Sequence, residues 1–284
     1  YVPHVPNGTR ISLRQLITMS SGIPNYSDDE SWGLRFLGDP GAPWTADDLL
    51  SYTWHMPASF PPGTNMEYSN SNFVLLGLTI EQVEGKPLQQ VLEERILEPL
   101  ELASTSYPTD TAMPAPYLTG YTIAATVTAA ASSTPTWLDA TEWHPSSAGA
   151  AGAMISTVDD LLTWGRALGT GQGLLPEETQ RERLRSFSSA SLAPGEFYGQ
   201  ALMCRDGWIG HSGNLPGYNS MVRYHPDIDT TIVVAATGLD ATGTPPRVVV
   251  IEEMTAALAE VAGAPFAAEV IPEELQVQGL IPRL

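Results

Sequence analysis

The last third of the chain constrains the fold most strongly. From Tyr198 onward the apolar pattern breaks into short strands, Tyr198 to Met203, Gly207 to Gly213, Ser220 to Tyr224 and Thr230 to Ala236, the last two joined through Pro226-Asp227. Strands this short, closed by turn residues, pair as an antiparallel meander. The segment 246–262 then repeats Val249, Met254, Leu258 and Val261 at helical spacing, which suits a helix lying on one face of that sheet. A half-apolar sheet must be covered, so this end of the chain is an α/β layer.

Upstream the periodicity is helical. Ile11, Leu13, Leu16 and Ile17 recur at helical spacing with Ser12 as N-cap, and Gly22 stops the segment. Thr45 with Asp48 reads as a capping pair before Leu49-Leu50, and Phe60-Pro-Pro-Gly63 is a loop. Phe73, Leu76, Ile80 and Val83 mark one face of a helix from Ser71 to Glu84, ended by Gly85; Pro87 opens a second helix through Leu97. Residues 103–150 are rich in Ser, Thr, Ala and Pro and read as loops and short strands, with some period at Tyr117 to Val127. Ser156 and Asp159 form a capping box that launches a helix through Leu161, Leu162, Gly165 and Leu168, closed by Gly169. The expectation is therefore a two-lobe α/β protein: residues 1–147 as a mainly helical lobe with loops, and 148–284 as an α/β lobe with strands at about 198–236 and a closing helix at about 246–262. Binding clefts form at such junctions. The tail beyond Ala264 is read as wrapping the surface or mobile.

Composition narrows the chemistry. With 43% apolar residues in 284, the chain can bury a core without metal or disulfide staples. Thirteen basic against 32 acidic residues give a net charge of −19, which repels nucleic acid and anionic lipid. A single cysteine, Cys204, excludes an internal disulfide, and no Cys/His pair has zinc-ligand spacing, so neither a metal nor a cofactor is expected. No apolar run is long enough to span a membrane. The start, Tyr-Val-Pro-His-Val-Pro, has neither an initiator Met nor signal-peptide regions and suggests a fragment or a processed form. Of the basic residues only Lys86 is a lysine.

Two constellations can carry chemistry. Glu67-Tyr68-Ser69-Asn70 lies between the Pro-Pro-Gly loop and a helix: either Tyr68 packs in the core and Asn70 caps the helix, or Tyr68 is a base, which requires a cation to lower its pKa from about 10. Gly210-His211-Ser212-Gly213-Asn214 lies on a strand, where flanking glycines either relieve strain or let a ligand approach the backbone, with His211 supplying a proton or charge. His4, His55, His144 and His225 have no helical-spaced partner and suit surface or capping roles. Cys204 reads as a small strand residue. The tryptophans read as core, although Trp208 could line a pocket near His211. Asp28, Asp29 and Glu30 read as a solvated acidic run. Asn7-Gly-Thr9 and Asn25-Tyr-Ser27 match glycosylation sequons.

Four segments together, Ile11 to Ile23 (ISLRQLITMSSGI), Pro61 to Asn70 (PPGTNMEYSN), Gly152 to Leu161 (GAMISTVDDL) and Gly210 to Asn214 (GHSGN), resemble the penicillin-recognising serine hydrolases: class C β-lactamases, serine D-Ala-D-Ala carboxypeptidases and related esterases. The resemblance runs to about Ala262. It implies a β-lactamase/transpeptidase-like fold with the site between the lobes. It also implies Tyr68 as general base or proton relay and Asn70 holding the acyl-side amide. His211 would take the place often held by Lys, with Ser212 and Gly213 on the substrate-binding strand and Asn214 lending its N–H to an oxyanion hole. His211 resembles the carboxypeptidase and esterase branches, since class C enzymes usually carry Lys-Thr-Gly there. The departure is the nucleophile: the family's Ser-x-x-Lys is absent, because Lys86 is preceded three positions earlier by Val83. The resemblance puts that motif, with the first strands, upstream of Tyr1, so a separate N-terminal segment would complete the site. The reading is an acyl-enzyme hydrolase of a β-lactam, D-amino-acid peptide or ester, exported or in the cell envelope. The alternatives are an inactive scaffold that binds a peptide or peptidoglycan-like ligand, and an unrelated hydrolase using Ser20 or Ser21.

Overall fold

A computed structural model describes residues 1–123, 137–187, 191–193, 195–238 and 247–266. Five helices come first: α1 (Leu13–Ile17), α2 (Glu30–Gly38), α3 (Ala46–Thr53), α4 (Asn70–Glu84) and α5 (Leu88–Leu92), which continues as a π-helical turn over Glu93–Leu97. A two-stranded ribbon, β1 (Tyr121–Ile123) with β2 (Trp137–Asp139), leads to α6 (Val158–Thr170) and α7 (Glu177–Leu184). Six strands then pair strictly with their neighbours: β3 (Ser191–Ala193), β4 (Glu196–Tyr198), β5 (Met203–Arg205), β6 (Trp208–Leu215), β7 (Tyr218–His225) and β8 (Thr230–Thr237). Helix α8 (Arg247–Val261) closes the described part.

Local chemistry explains most boundaries. Ser12 and Gln15 make a reciprocal capping box at α1, as do Thr45 and Asp48 at α3, so two otherwise orphaned amides are satisfied at each helix start. Gly85, at φ 66°, ends α4 in the left-handed region that glycine enters without strain.

Several expectations need correction. The strand expected over Tyr198 to Met203 is instead the turn between β4 and β5, where the Gly199 N–H donates to the Leu202 carbonyl at 2.8 Å. The cap of α6 is Thr157, not Ser156: its hydroxyl accepts from the Asp160 amide, while the Asp160 carboxylate accepts from the Ser104 N–H and the Thr105 hydroxyl. Helix α6 runs past Gly169 to Gly171, because Gly169 is a contact and not a stop; a Cβ there would lie 2.0 Å from Tyr224 Cδ1 on β7. The acidic run is partly structural, since Asp29 caps α2 by accepting from the Ser31 and Trp32 amides. Trp208 is fully buried under α8, with its indole N–H donated to the Ala264 carbonyl. The part of the Tyr117 to Val127 segment beyond Ile123, and the tail from residue 267, lie outside the described residues.

Among the described residues the core has four parts. Leu16, Tyr26, Phe36, Trp44, Leu49, Leu50, Val74 and Leu75 pack the helical region. Trp208, Met221, Ile232 and Val234 meet Ile251 and Ala259 of α8 on one sheet face, and Ile209 and Leu202 meet Leu168 on the other. The fourth part joins these regions: Met19, Tyr198 and Met203 pack with Met66, Tyr68 and Phe73.

Candidate active site

That joining cluster is where both chemical motifs arrive. The 61–70 loop is held against the end of α1 by backbone bonds from the Gly63 N–H to the Ser20 carbonyl at 2.7 Å and from the Glu67 N–H to the Met19 carbonyl at 3.0 Å. These bonds fix the approach of Tyr68, whose ring then meets three others. Its centroid lies 6.2 Å from Phe73, 6.0 Å from Tyr198 and 6.0 Å from His211. Tyr198 completes the group, edge-on to His211 at 5.8 Å.

The histidine's protonation follows from its partners. Nδ1 lies 2.7 Å from the Ser212 carbonyl, which can only accept, so Nδ1 carries the hydrogen. Nε2 is then the acceptor for the Tyr198 hydroxyl at 3.3 Å. Burial pushes the His211 pKa below its ordinary value of 6.5; the bond to Ser212 and the Glu196 charge oppose that shift, while Arg223 adds to it. His211 is therefore a neutral ring at neutral pH. Burial also pushes the Tyr68 phenol up to about 12, and the Tyr198 phenol upward as well. Neither hydroxyl is a base at neutral pH without a cation brought beside it.

Strand lengths leave backbone free at the same place. Strand β5 ends its pairing with β6 at Met203 and Gly210, whereas β7 pairs with β6 all the way to Leu215. From His211 to Leu215, β6 thus presents an open edge among the described residues, and Ser212, Gly213 and Asn214 are exposed on it. An open antiparallel edge offers alternating N–H and C=O groups, suited to a bound peptide strand or a developing oxyanion.

The structure thus brings Tyr68 to His211, sets Ser212, Gly213 and Asn214 on the open edge that follows, and starts α4 with Asn70 beside Tyr68. Ser21 is no nucleophile: it is 2% exposed, and its hydroxyl donates to Asn72 Oδ1 at 2.6 Å while accepting from the Ile23 N–H. The His144 ring caps a short turn through the Ser146 amide. Sequence reading missed Tyr198, because nothing local distinguishes a ring that meets Tyr68 and His211 from an ordinary strand tyrosine. It also missed Asn25, whose side chain accepts the Asn70 N–H at 3.1 Å across 45 positions.

The Beta-lactamase family profile matches residues 1–249. The chain belongs to the β-lactamase family. Among curated proteins it is similar to the putative penicillin-binding protein PbpX of Bacillus subtilis (strain 168), 26% identical over 82% of this chain and 53% of that protein. It is also similar to a D-aminopeptidase of Cereibacter sphaeroides, 33% identical over 39% of this chain and 21% of the relative. The chain thus spans about half the length of the first of these curated relatives and less of the second. Among solved structures it is similar to a D-stereospecific amidohydrolase from Streptomyces sp., with 33% identity and a TM-score of 0.74 over 82% of this chain and 70% of that one. The D-amino acid amidase of Ochrobactrum anthropi SV3 with D-phenylalanine gives 25% identity and a TM-score of 0.72 over 91% and 80%. The chain therefore has a β-lactamase/transpeptidase-like fold, an antiparallel sheet with helices on it. No helix among the described residues is long and apolar enough to cross a membrane.

Proposed function

We propose that the complete protein is a serine hydrolase that cleaves an amide, peptide or ester through an acyl-enzyme, with D-configured amino-acid amides and short peptides as the first substrates to try. One observation carries the reading: Tyr68 and His211 meet at 6.0 Å where the β6 edge opens. In the reaction a serine Oγ would attack the substrate carbonyl as its proton passes to the Tyr68 oxygen while the phenol hands its own proton to a neutral lysine amine beside it, so that Tyr68 is a relay. The oxyanion is stabilised by N–H groups of the open edge near Asn214, the amine departs with the relayed proton, and water resolves the ester. Asn70 and Ser212 would hold the acyl-side amide and a polar substrate group, and His211, neutral when free, would take up charge only against an anionic substrate.

The 284 residues contain no Ser-x-x-Lys. We assign the nucleophile and its lysine to a segment outside them; a lysine beside Tyr68 would make its phenol a usable relay. The penicillin-binding relative favours the cell envelope as the location of the complete protein. A second reading, a binding scaffold for peptides or peptidoglycan-like ligands through the same edge, is favoured by the same missing motif. Intact mass of protein from the whole gene, before and after a reactive β-lactam, separates them. One covalent adduct per molecule supports the hydrolase; a mass with no adduct overturns it and leaves the scaffold.

A further inference from the structure

Helix α4 begins at the catalytic turn, yet its own N-cap does not cap it. Ser69 has the extended backbone of an N-cap, φ −146° and ψ 119°, but its side chain bonds none of the helix amides. The Asn70 N–H instead donates to Asn25 Oδ1 at 3.1 Å. A cap normally lies within a few residues of the amide it satisfies; this one arrives from the loop after α1.

The same loop grips the turn elsewhere. The Ser71 hydroxyl donates to the Pro24 carbonyl at 2.7 Å and accepts from the Tyr26 N–H at 3.0 Å. Asn25 sits between these two contacts, and its amide orientation is fixed from behind, because Nδ2 donates to Asp28 Oδ1 at 3.1 Å. That contact keeps Oδ1 turned toward Asn70. The nitrogen that the Asn25-Tyr-Ser27 sequon would glycosylate is the one held by Asp28.

We propose that Asn25, oriented by Asp28, is a positioning residue for the Tyr68-Ser69-Asn70 turn. By holding the first amide of α4 it sets the direction in which the Asn70 side chain leaves the helix and the depth at which Tyr68 faces His211. This rests on the acyl-transfer reading of that turn. It touches no substrate, and its effect on catalysis passes through Asn70 and Tyr68.

Two variants of the complete protein test it. Asn25→Ala removes the acceptor. Asn25→Asp keeps an acceptor for the Asn70 N–H but loses the donor and sets a carboxylate against Asp28, so it is the less favoured replacement for the loop itself. Acylation by a reactive β-lactam is expected to fall about ten- to a hundredfold in Asn25→Ala, the scale of a small misplacement of catalytic groups. Asn25→Asp is expected to recover most of that loss while melting no higher than Asn25→Ala. Amide hydrogen exchange at Asn70 should speed up in Asn25→Ala and stay slow in Asn25→Asp. Acylation rates that simply follow melting temperature, or Asn70 exchange that ignores residue 25, would overturn the proposal. A wild-type protein that forms no adduct would overturn the hydrolase reading instead, and the exchange measurement would still decide the role of Asn25.

Discussion

Tyr68 and His211 stand 143 positions apart in the chain and face each other with centroids 6.0 Å apart and ring planes inclined by 47°. One ring comes from the turn before α4 and the other from β6, so the contact joins the helical core to the sheet. Tyr198, itself buried, lies edge-on to both rings, so the meeting point is a cluster of three aromatic rings. That surrounding sets the proton affinities of the site: a phenol held protonated and an imidazole held neutral.

Replacing Tyr68 by Phe keeps every ring contact and removes only the hydroxyl. In the complete protein the acylation rate should fall by roughly two to four orders of magnitude, the usual worth of a positioned proton carrier. The thermal midpoint should change little. Adduct formation followed by intact mass gives the rate, and an unchanged rate would remove Tyr68 from the proton path.

Acid should act on stability through His211. Its folded pKa lies below the ordinary value of 6.5, so the unfolded chain binds the proton more readily than the fold does. The stability held by the neutral ring is complete above the unfolded pKa and is lost as pH falls through that value toward the folded one. Urea midpoints measured at about pH 7.5 and about pH 5 should therefore drop further for wild type than for His211→Gln, which does not titrate. Equal drops would mean that the ring is solvated and free to charge in the fold.

The ion pair between Arg223 and Glu196 is buried on both sides, with side-chain exposures of 4% and 8%. Arg223 stands opposite Gly210 in the pairing of β7 with β6, and its guanidinium bonds Glu196 of β4. Glu196→Gln should cost about 3–5 kcal/mol, because it leaves a desolvated guanidinium without its charge partner. Changing both residues to Met should cost much less than that single change. Equilibrium urea unfolding reads both; a single-variant cost below about 1 kcal/mol would mean that water reaches the pair.

What the sequence made legible was local. Thr45 with Asp48, and Gly85 after Glu84, act within a few residues, and each marks a helix boundary found in the fold. Helix α7 gave no such sign. Its buried residue is Gln180, whose amide donates to the Leu168 and Gly169 carbonyls, so the face it hides carries no apolar period. The break between β4 and β5 was hidden for a related reason: Leu202 is fully buried in the turn itself, and its apolar character reads as strand. At the site the two motifs were visible because glycines and polar residues interrupt apolar runs. Their meeting, the ring of Tyr198 and the reach of Asn25 were not, because those depend on contacts between segments far apart in the chain.

Gly210 is the position where the site and the sheet constrain each other most tightly. A Cβ built there would lie 1.8 Å from the Val222 carbonyl oxygen and 2.8 Å from its carbon, both backbone atoms of the paired strand. No rotamer change relieves such a contact, so Gly210→Ala must push β6 away from β7 immediately before His211. The expected cost is about 3 kcal/mol or more, at the upper end of overpacking. Gly213→Ala, three positions along the same strand, meets only the Ser220 hydroxyl at 2.6 Å, a side-chain end that can rotate away. Its cost should stay below about 1 kcal/mol. Urea unfolding of the two variants side by side tests the difference. If both cost the same, the close approach of β7 is not what excludes a side chain from position 210.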